Sequence, residues 1–170
     1  APDGSRRVIT SREAFQADAL PRRGIVLGGS ILGCEFATAY SELGVETTVL
    51  EMSDRLLPML DEDAGRAVRE SLAARGATVR TGTRVEGVSD VGHCVEARLE
   101  GGETLQADVL LLAVGRRANL DDIGLDAVGL DRPDDVLAVD DRCRTAAEGV
   151  YAAGDCAETR QFAHLAARMG

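Results

Sequence analysis

The hydrophobic pattern of the chain opens with an apolar run followed by a helical repeat. Gly24 to Gly28 is a short apolar stretch bounded by glycines, which predicts a buried strand. Beyond Ser30, apolar residues recur at helical spacing until Gly44 ends the predicted helix. These helix positions are Leu32, Phe36, Tyr40 and Leu43. Val45 to Leu50 then alternates weakly as a second strand, so the pattern predicts a right-handed parallel βαβ unit.

A second helix and a third strand continue this order. The helix is predicted after Pro58, with Asp61 as its N-cap and Gly76 just past its end. Its apolar face is formed by Ala64, Val68 and Leu72. The third strand is Ala77 to Arg80, and the alternation of strands and helices is typical of a parallel sheet.

Three short segments of alternating polarity predict an antiparallel meander after the third strand. They are Arg84 to Ser89, Cys94 to Leu99 and Glu103 to Gln106, and turn residues separate them. Val109 to Val114 is apolar at every position, as expected of a parallel strand covered on both faces. The predicted fold class is therefore α/β, a parallel sheet with helices and a three-stranded antiparallel meander.

The two ends of the chain are predicted to be irregular. Residues 1–23 are polar and rich in arginine, which indicates a connector, so ordered structure is expected from about Gly24. From Gly115 onward the composition is typical of loops. Strand candidates in this last part are Val136 to Val139 and Val150 to Ala153.

Charge and residue usage exclude several classes of function. The 29 acidic and 19 basic residues give a net charge of −10, which disfavours binding to the phosphate backbone of nucleic acids. The absence of lysine excludes Schiff-base chemistry and the P-loop lysine. The longest apolar run, Val109 to Val114, is far shorter than the roughly 20 residues that span a bilayer, so no membrane insertion is expected.

The cysteines and histidines form neither a metal-ligand pattern nor a disulfide pattern. The four cysteines include no CxxC pair, and His93 and His164 stand far apart, so no metal is expected. The first twenty residues contain no apolar core of signal-peptide length, which favours a cytoplasmic location. Cys34 is expected to be a small buried hydrophobe rather than a reactive thiol.

A glycine-rich run stands between the first predicted strand and helix. It consists of Gly28, Gly29, Ser30, Ile31, Leu32 and Gly33. The dinucleotide fingerprint is matched at its first and third glycines, whereas Ser30 replaces the second. Glu51 ends the second strand, where an acid binds the adenosine ribose of NAD. The pattern favours NAD binding by a Rossmann-like sheet over two alternatives, a glycine turn used only for packing and a solvated strand-end charge.

Four motifs, in a recognisable order and spacing, extend over nearly the whole chain. They are Gly28 to Ala37, Val49 to Glu51 with Asp54 to Pro58, Ala113 to Asn119 and Gly149 to Asp155. Together they resemble the FAD-dependent pyridine nucleotide-disulfide oxidoreductases, and among these most the dihydrolipoyl dehydrogenase branch. The resemblance implies a connector at 1–23, an NAD-binding domain at 24–118 and, at 119–170, an incomplete return segment into an FAD-binding domain.

The resemblance also implies roles for single residues. It puts Gly28, Ser30 and Gly33 at the pyrophosphate, Glu51 on the adenosine ribose, Glu35 near the nicotinamide and Gly115 on the nicotinamide side. Gly154 and Asp155 would serve FAD, with the aspartate on a ribityl hydroxyl, although Asp155 also suits a simple turn. His164 would lie in the stretch beneath the flavin rather than act as a base.

The implied parent is a homodimeric enzyme that passes electrons between NAD(H), FAD, a protein disulfide and a dithiol such as dihydrolipoamide. This chain would present the nicotinamide to FAD for hydride transfer. It lacks the family's redox-active cysteine pair and His–Glu pair, so no catalytic residue is assigned and the chain alone is expected to be inactive. The alternatives are the same domain of a soluble transhydrogenase, mercuric reductase or NADH oxidase, and a non-catalytic NAD-sensing module.

Overall fold

The chain divides into two units after Gly115. The structure, a computed structural model, describes residues 4–130 and 136–170. Residues 1–3 of the predicted connector and 131–135 of the predicted return segment lie outside this description. No helix in the described residues is long and apolar enough to cross a bilayer.

The first unit contains all eight strands found in the described residues. They are β1 (Val8–Ile9), β2 (Arg23–Leu27), β3 (Glu46–Leu50), β4 (Thr78–Arg80), β5 (Val85–Asp90), β6 (Val95–Leu99), β7 (Thr104–Ala107) and β8 (Val109–Leu112). Five of these form a parallel sheet in the order β1-β8-β2-β3-β4. Leu27 pairs with both Leu50 and Leu112, so the carboxyl ends of β2, β3 and β8 meet at one edge. This arrangement confirms the predicted parallel sheet.

The helices of the described residues are α1 (Ser11–Phe15), α2 (Ile31–Glu42), α3 (Glu62–Ala74) and α4 (Ala163–Met169). The two helices predicted from the periodicity are confirmed, with Ser30 at the N-cap of α2 and Asp61 at that of α3. Ser30 supplies the side-chain cap that its residue type favours. The fully buried Leu72 holds α3 against the core, as its place on the apolar face predicted.

Both faces of the parallel sheet are covered. One face carries Val26, Val49 and Leu111, which lie in a core cluster with residues of α2 and α3. The opposite face, with Leu110, packs in a second cluster against Val95 and its neighbours on β6. The strands β5, β6 and β7 form the predicted antiparallel meander. Burial on both faces explains why β8 is apolar at every position.

Ordered structure begins before Gly24, contrary to the prediction for residues 1–23. Val8 and Ile9 pair in parallel with Leu110 and Leu111 of β8, and both are buried. The short helix α1 follows, and Thr10 caps its N-terminus in a capping box. A two-residue strand has no readable period, and its hydrogen bonds come from a partner about a hundred residues away in sequence. Local pattern alone could not predict it.

The second unit contains turns, α4 and a small apolar cluster of Leu120, Leu137 and Ala152. The predicted strands at Val136 to Val139 and Val150 to Ala153 are wrong. A single bridge, between Arg144 and Tyr151, is formed in the described part of this unit. The amide of Leu137 donates instead, at 2.7 Å, to the carbonyl of Cys156, which lies in the 3₁₀ turn Gly154–Cys156. A strand requires a neighbour that continues the ladder, and these segments have none among the described residues.

Candidate functional site

A cleft of about 340 Å³ opens at the carboxyl edge of the parallel sheet. Leu27, Leu50 and Ala113 line it from the ends of β2, β3 and β8. The glycine-rich turn, the loop after β3 and the start of β5 supply the other walls. Ligands of open α/β sheets bind at this edge, because the turns from strands into helices converge there.

The three glycines of the turn approach their neighbours too closely for any side chain. Gly28 has a φ of +114°, and a Cβ there would collide with the Ala113 carbonyl. A Cβ on Gly33 would collide with the Gly28 carbonyl oxygen. A Cβ on Gly29 would lie 2.6 Å from Leu56 Cδ2. The turn is therefore packed against β8, the loop after β3 and itself, which places its backbone against the cleft.

The Ser30 hydroxyl both donates and accepts a hydrogen bond within the protein. Its Oγ donates to the Ala113 carbonyl at 3.0 Å and accepts the Gly33 amide at 3.4 Å. The first amides of a helix have no intrahelical acceptor. Among the described residues, those of Ile31 and Leu32 have no protein acceptor either. The first turn of α2 thus offers two amides, together with the positive end of the helix dipole, to an anion.

Glu51 is a buried carboxylate that braces the glycine turn. The residue is only 9% exposed, so it is not the solvated strand-end charge that the sequence left open. Its Oε2 accepts the Gly29 amide at 2.5 Å, and its Oε1 accepts the Ser53 amide at 2.7 Å. Each carboxylate oxygen can accept a further hydrogen bond. Glu51 can therefore hold the turn and bind ligand hydroxyls at the same time.

The loop after β3 is attached to the turn through its backbone. The Leu57 amide donates to the Gly29 carbonyl at 2.8 Å, and Leu56 is fully buried beneath the loop. The Thr83 amide donates to the Glu51 carbonyl at 2.9 Å and joins the β4–β5 connection to the same place. Sequence reasoning missed these anchors, because backbone bonds between distant turns leave no residue-type signal. The motif running from Val49 to Pro58 was the single indication of this loop.

The predicted site residues divide into four groups, three of them in the first unit. Gly28, Ser30 and Glu51 line the cleft, whereas the following four support it from the turn and the start of α2: Gly29, Ile31, Leu32 and Gly33. Glu35 is exposed on α2 and does not line the cleft, and Gly115 follows the lining residue Val114.

The last two predicted residues, Gly154 and Asp155, lie in a 3₁₀ turn of the second unit. Arg116, from the same unit, donates to Asp155 Oδ2 at 2.6 Å. The Oδ1 atom of Asp155 has no partner in the described part of the chain. One carboxylate oxygen is therefore left to accept a hydroxyl.

The cysteines offer no nucleophile to the cleft. Cys34 is buried, and its burial, with smaller contributions from Glu51 and Glu35, raises the pKa of its thiol to about 11. The thiol is therefore protonated at neutral pH, as expected for a buried structural cysteine. Within residues 4–130 and 136–170, no cluster of three or more His, Cys, Asp or Glu side chains could hold a metal ion.

A cationic residue stands at the cleft. Arg84 lines it and is exposed, and its guanidinium has no hydrogen bond or ion pair to another described residue. Arg55, from the loop after β3, is also exposed and donates to the Pro58 carbonyl at 3.0 Å. The site therefore combines open amides, a free guanidinium and a buried carboxylate, which suits a ligand with both phosphates and hydroxyls.

Comparison with known proteins points in the same direction. The family described as "Pyridine nucleotide-disulphide oxidoreductase" matches residues 2–170. A dihydrolipoyl dehydrogenase of Chlorobaculum tepidum is 38% identical over 169 residues, which cover 97% of this chain and 36% of that protein. An NAD(P)H dehydrogenase (quinone) of Mycobacterium tuberculosis is 38% identical over 170 residues, covering 99% of this chain and 34% of that protein. The chain spans about a third of the length of these curated relatives.

Solved structures share the fold at high similarity. The crystal structure of LpdA from Mycobacterium tuberculosis matches with a TM-score of 0.86 and 37% identity, over 96% of this chain and 36% of that one. The HOCl-induced flavoprotein disulfide reductase RclA from Escherichia coli matches with a TM-score of 0.89 and 26% identity, over 97% of this chain and 38% of that one.

Proposed function

Since the chain belongs to the pyridine nucleotide-disulphide oxidoreductase family, we propose that its first unit binds NAD(H) in the cleft and presents the nicotinamide to FAD for hydride transfer. The observation that carries this proposal is the bonding of the buried Glu51 carboxylate to Gly29, beside the open amides of α2. The glycine turn and the end of β3 thus join an anion site to an acceptor for hydroxyls. A dinucleotide carries both groups, a pyrophosphate and ribose hydroxyls.

The pyrophosphate would bind the amides of Ile31 and Leu32 at the start of α2. The lack of a Cβ on Gly28 and Gly29 lets the turn pack tightly on the Ala113 carbonyl and on Leu56, which holds these amides at the edge of the cleft. Charge-assisted hydrogen bonds of this kind contribute roughly 1.5–3 kcal/mol each. Glu51 would accept the adenosine ribose hydroxyls with the lone pairs that the Gly29 and Ser53 amides leave unused.

The nicotinamide half would extend toward the end of β8. There Gly115 would give the ring room, and Glu35 on the next turn of α2 would lie near it. FAD, when bound, supplies the ring system that exchanges hydride with the nicotinamide. The second unit would contribute to the flavin site through Gly154 and Asp155, whose free Oδ1 suits a ribityl hydroxyl.

The electron donor or acceptor of the whole protein is also a proposal. We favour a dithiol of the dihydrolipoamide type, as in the C. tepidum relative's name, within a homodimeric parent enzyme. A quinone acceptor is the second candidate, because the relative named NAD(P)H dehydrogenase (quinone) has the same sequence identity to this chain, 38%, as the dihydrolipoyl dehydrogenase. A cytoplasmic setting agrees with the four free cysteines. No catalytic residue is assigned to this chain, which by itself would bind and orient the cofactor without catalysis.

The chain is expected to bind NADH more tightly than NADPH. The additional 2′-phosphate of NADPH would face the buried Glu51 carboxylate, and like charges repel strongly in a partly dry site. Fluorescence titration with both reduced cofactors measures the two dissociation constants. Competition by AMP and by its 2′-phosphorylated analogue is the matched control, because it confines the comparison to the adenosine half. Equal or tighter binding of NADPH would contradict this assignment of Glu51.

Replacing Ser30 with glycine is expected to tighten NADH binding by several-fold to about tenfold. The Ser30 hydroxyl hydrogen is already donated to the Ala113 carbonyl, so it cannot also bind a phosphate, whereas the Cβ holds the ligand away from the turn. The lost helix cap costs only about a few tenths of a kcal/mol with glycine. Calorimetric titration compares Ser30→Gly with Ser30→Ala, which keeps the Cβ and should show no gain. Weaker binding by Ser30→Gly would mean that the serine itself contacts the ligand.

A further inference from the structure

Two methionines stand exposed at the cleft. The sequence contains three methionines, and two of them, Met52 and Met59, line this cleft. Their exposed fractions are 66% and 62%, so both side chains are accessible to solvent. The third, Met169, lies on α4 in the second unit. The exposed thioethers are therefore concentrated at the proposed cofactor site.

The backbone holds both methionines in place. Met52 lies between Glu51 and Ser53, which are joined by the hydrogen bond from the Ser53 amide to Glu51 Oε1. Met59 follows the segment whose Leu57 amide is bonded to the Gly29 carbonyl. The two side chains thus start from fixed points beside the carboxylate that would bind the adenosine ribose. An adenine ring attached to that ribose would find both thioethers within the same wall of the cleft.

We propose that Met52 and Met59 form an oxidation-sensitive cover for the adenine ring, and that their conversion to sulfoxides weakens dinucleotide binding. The proposal rests on the NAD(H) function given above. A thioether packs favourably against an aromatic ring, whereas a sulfoxide presents a strongly polar oxygen to it. The exposure of both side chains in the free protein gives an oxidant direct access to sulfur. A bound dinucleotide would cover the same atoms and protect them.

The oxidant is a peroxide, and the reaction is balanced with hydrogen peroxide alone. A lone pair on the methionine sulfur attacks one peroxide oxygen, a sulfur–oxygen bond forms and the oxygen–oxygen bond breaks. Sulfur loses two electrons, and the other peroxide oxygen leaves as water after proton transfer. Methionine sulfoxide reductases reverse the change, one enzyme for each sulfoxide epimer.

The experiment treats the full chain with hydrogen peroxide, with and without saturating NADH, and then removes the oxidant. Dithiothreitol follows, so that reversible cysteine products are reduced while sulfoxides remain. Mass spectrometry locates the added oxygen, and fluorescence titration measures NADH binding. The variants are Met52→Leu with Met59→Leu, which keeps apolar side chains of similar size, and Met169→Leu as the matched control.

Oxidised wild-type chain is expected to bind NADH about two- to tenfold more weakly for each oxidised cleft methionine, with an unchanged melting temperature. The reductases should restore binding, and NADH present during treatment should protect both residues. The double leucine variant should keep its affinity after peroxide, whereas Met169→Leu should lose affinity as the wild type does. Three results would overturn the proposal. The double leucine variant could lose as much NADH affinity as the wild type, or chains oxidised at both Met52 and Met59 could bind NADH with unaltered affinity. The third is that peroxide leaves both methionines unoxidised. Failure of the untreated chain to bind NADH would instead reject the proposed function itself.

Discussion

Replacing Gly33 with alanine is expected to weaken NADH binding at least tenfold and to destabilise the fold by about 1–3 kcal/mol. The new Cβ would collide with the Gly28 carbonyl oxygen, which is backbone and cannot rotate away as a side-chain end can. The better helix propensity of alanine returns at most about 1 kcal/mol. The turn must therefore open, and this displaces the amides that would bind the pyrophosphate.

Urea unfolding and NADH titration of the Gly33→Ala variant test this expectation together. Gly87→Ala is the matched control, because its added Cβ would meet only the mobile end of Arg98, at 3.3 Å. The control should keep NADH affinity, since it lies in the meander and does not line the cleft. Wild-type stability and affinity in Gly33→Ala would show that the close approach is not required.

Replacing Glu51 with glutamine should lower both stability and NADH affinity. The amide group of glutamine has one acceptor oxygen, so either the Gly29 amide or the Ser53 amide loses its partner. A buried donor left unsatisfied costs about 1–3 kcal/mol, and NADH affinity should fall roughly tenfold or more with the lost ribose contacts. The preference for NADH over NADPH should also narrow, because the repelling charge has gone.

A smaller ligand separates the two roles of Glu51. Nicotinamide mononucleotide lacks the adenosine half, so a residue that contacts only the adenosine ribose cannot affect its binding. If Glu51 also positions the glycine turn, Glu51→Gln weakens binding of this probe too. Unchanged binding of the mononucleotide, together with unchanged stability in urea, would leave Glu51 as a ribose contact alone.

The elements that the sequence predicted well are those with a strong local signal. The helix after Ser30 and the helix after Asp61 have a clear helical period and recognisable ends, and both formed. The glycine spacing predicted a close approach at the turn, and collisions at Gly28 and Gly33 are its physical basis. The continuous apolar run at β8 predicted burial on both faces. In the structure each face of that strand meets a separate core cluster.

The features that the sequence predicted poorly depend on distant partners. The edge strand β1 is too short to show a period and exists through pairing with β8. The strand candidates at Val136 to Val139 and Val150 to Ala153 had suitable residue types but no continuous ladder in the described residues. Strand formation is decided by the neighbouring backbone as much as by the segment itself.

The sequence by itself determined the alternating order of strands and helices, the place of the glycine turn and the acid at the end of β3, because each rests on residue type and spacing. Only the tertiary structure decided how these parts are joined. The Ser30 hydroxyl finds the Ala113 carbonyl 83 residues away, and the Glu51 carboxylate finds the Gly29 amide 22 residues away. Such bonds require the parallel sheet to bring its strand ends together first, so no local pattern can encode them.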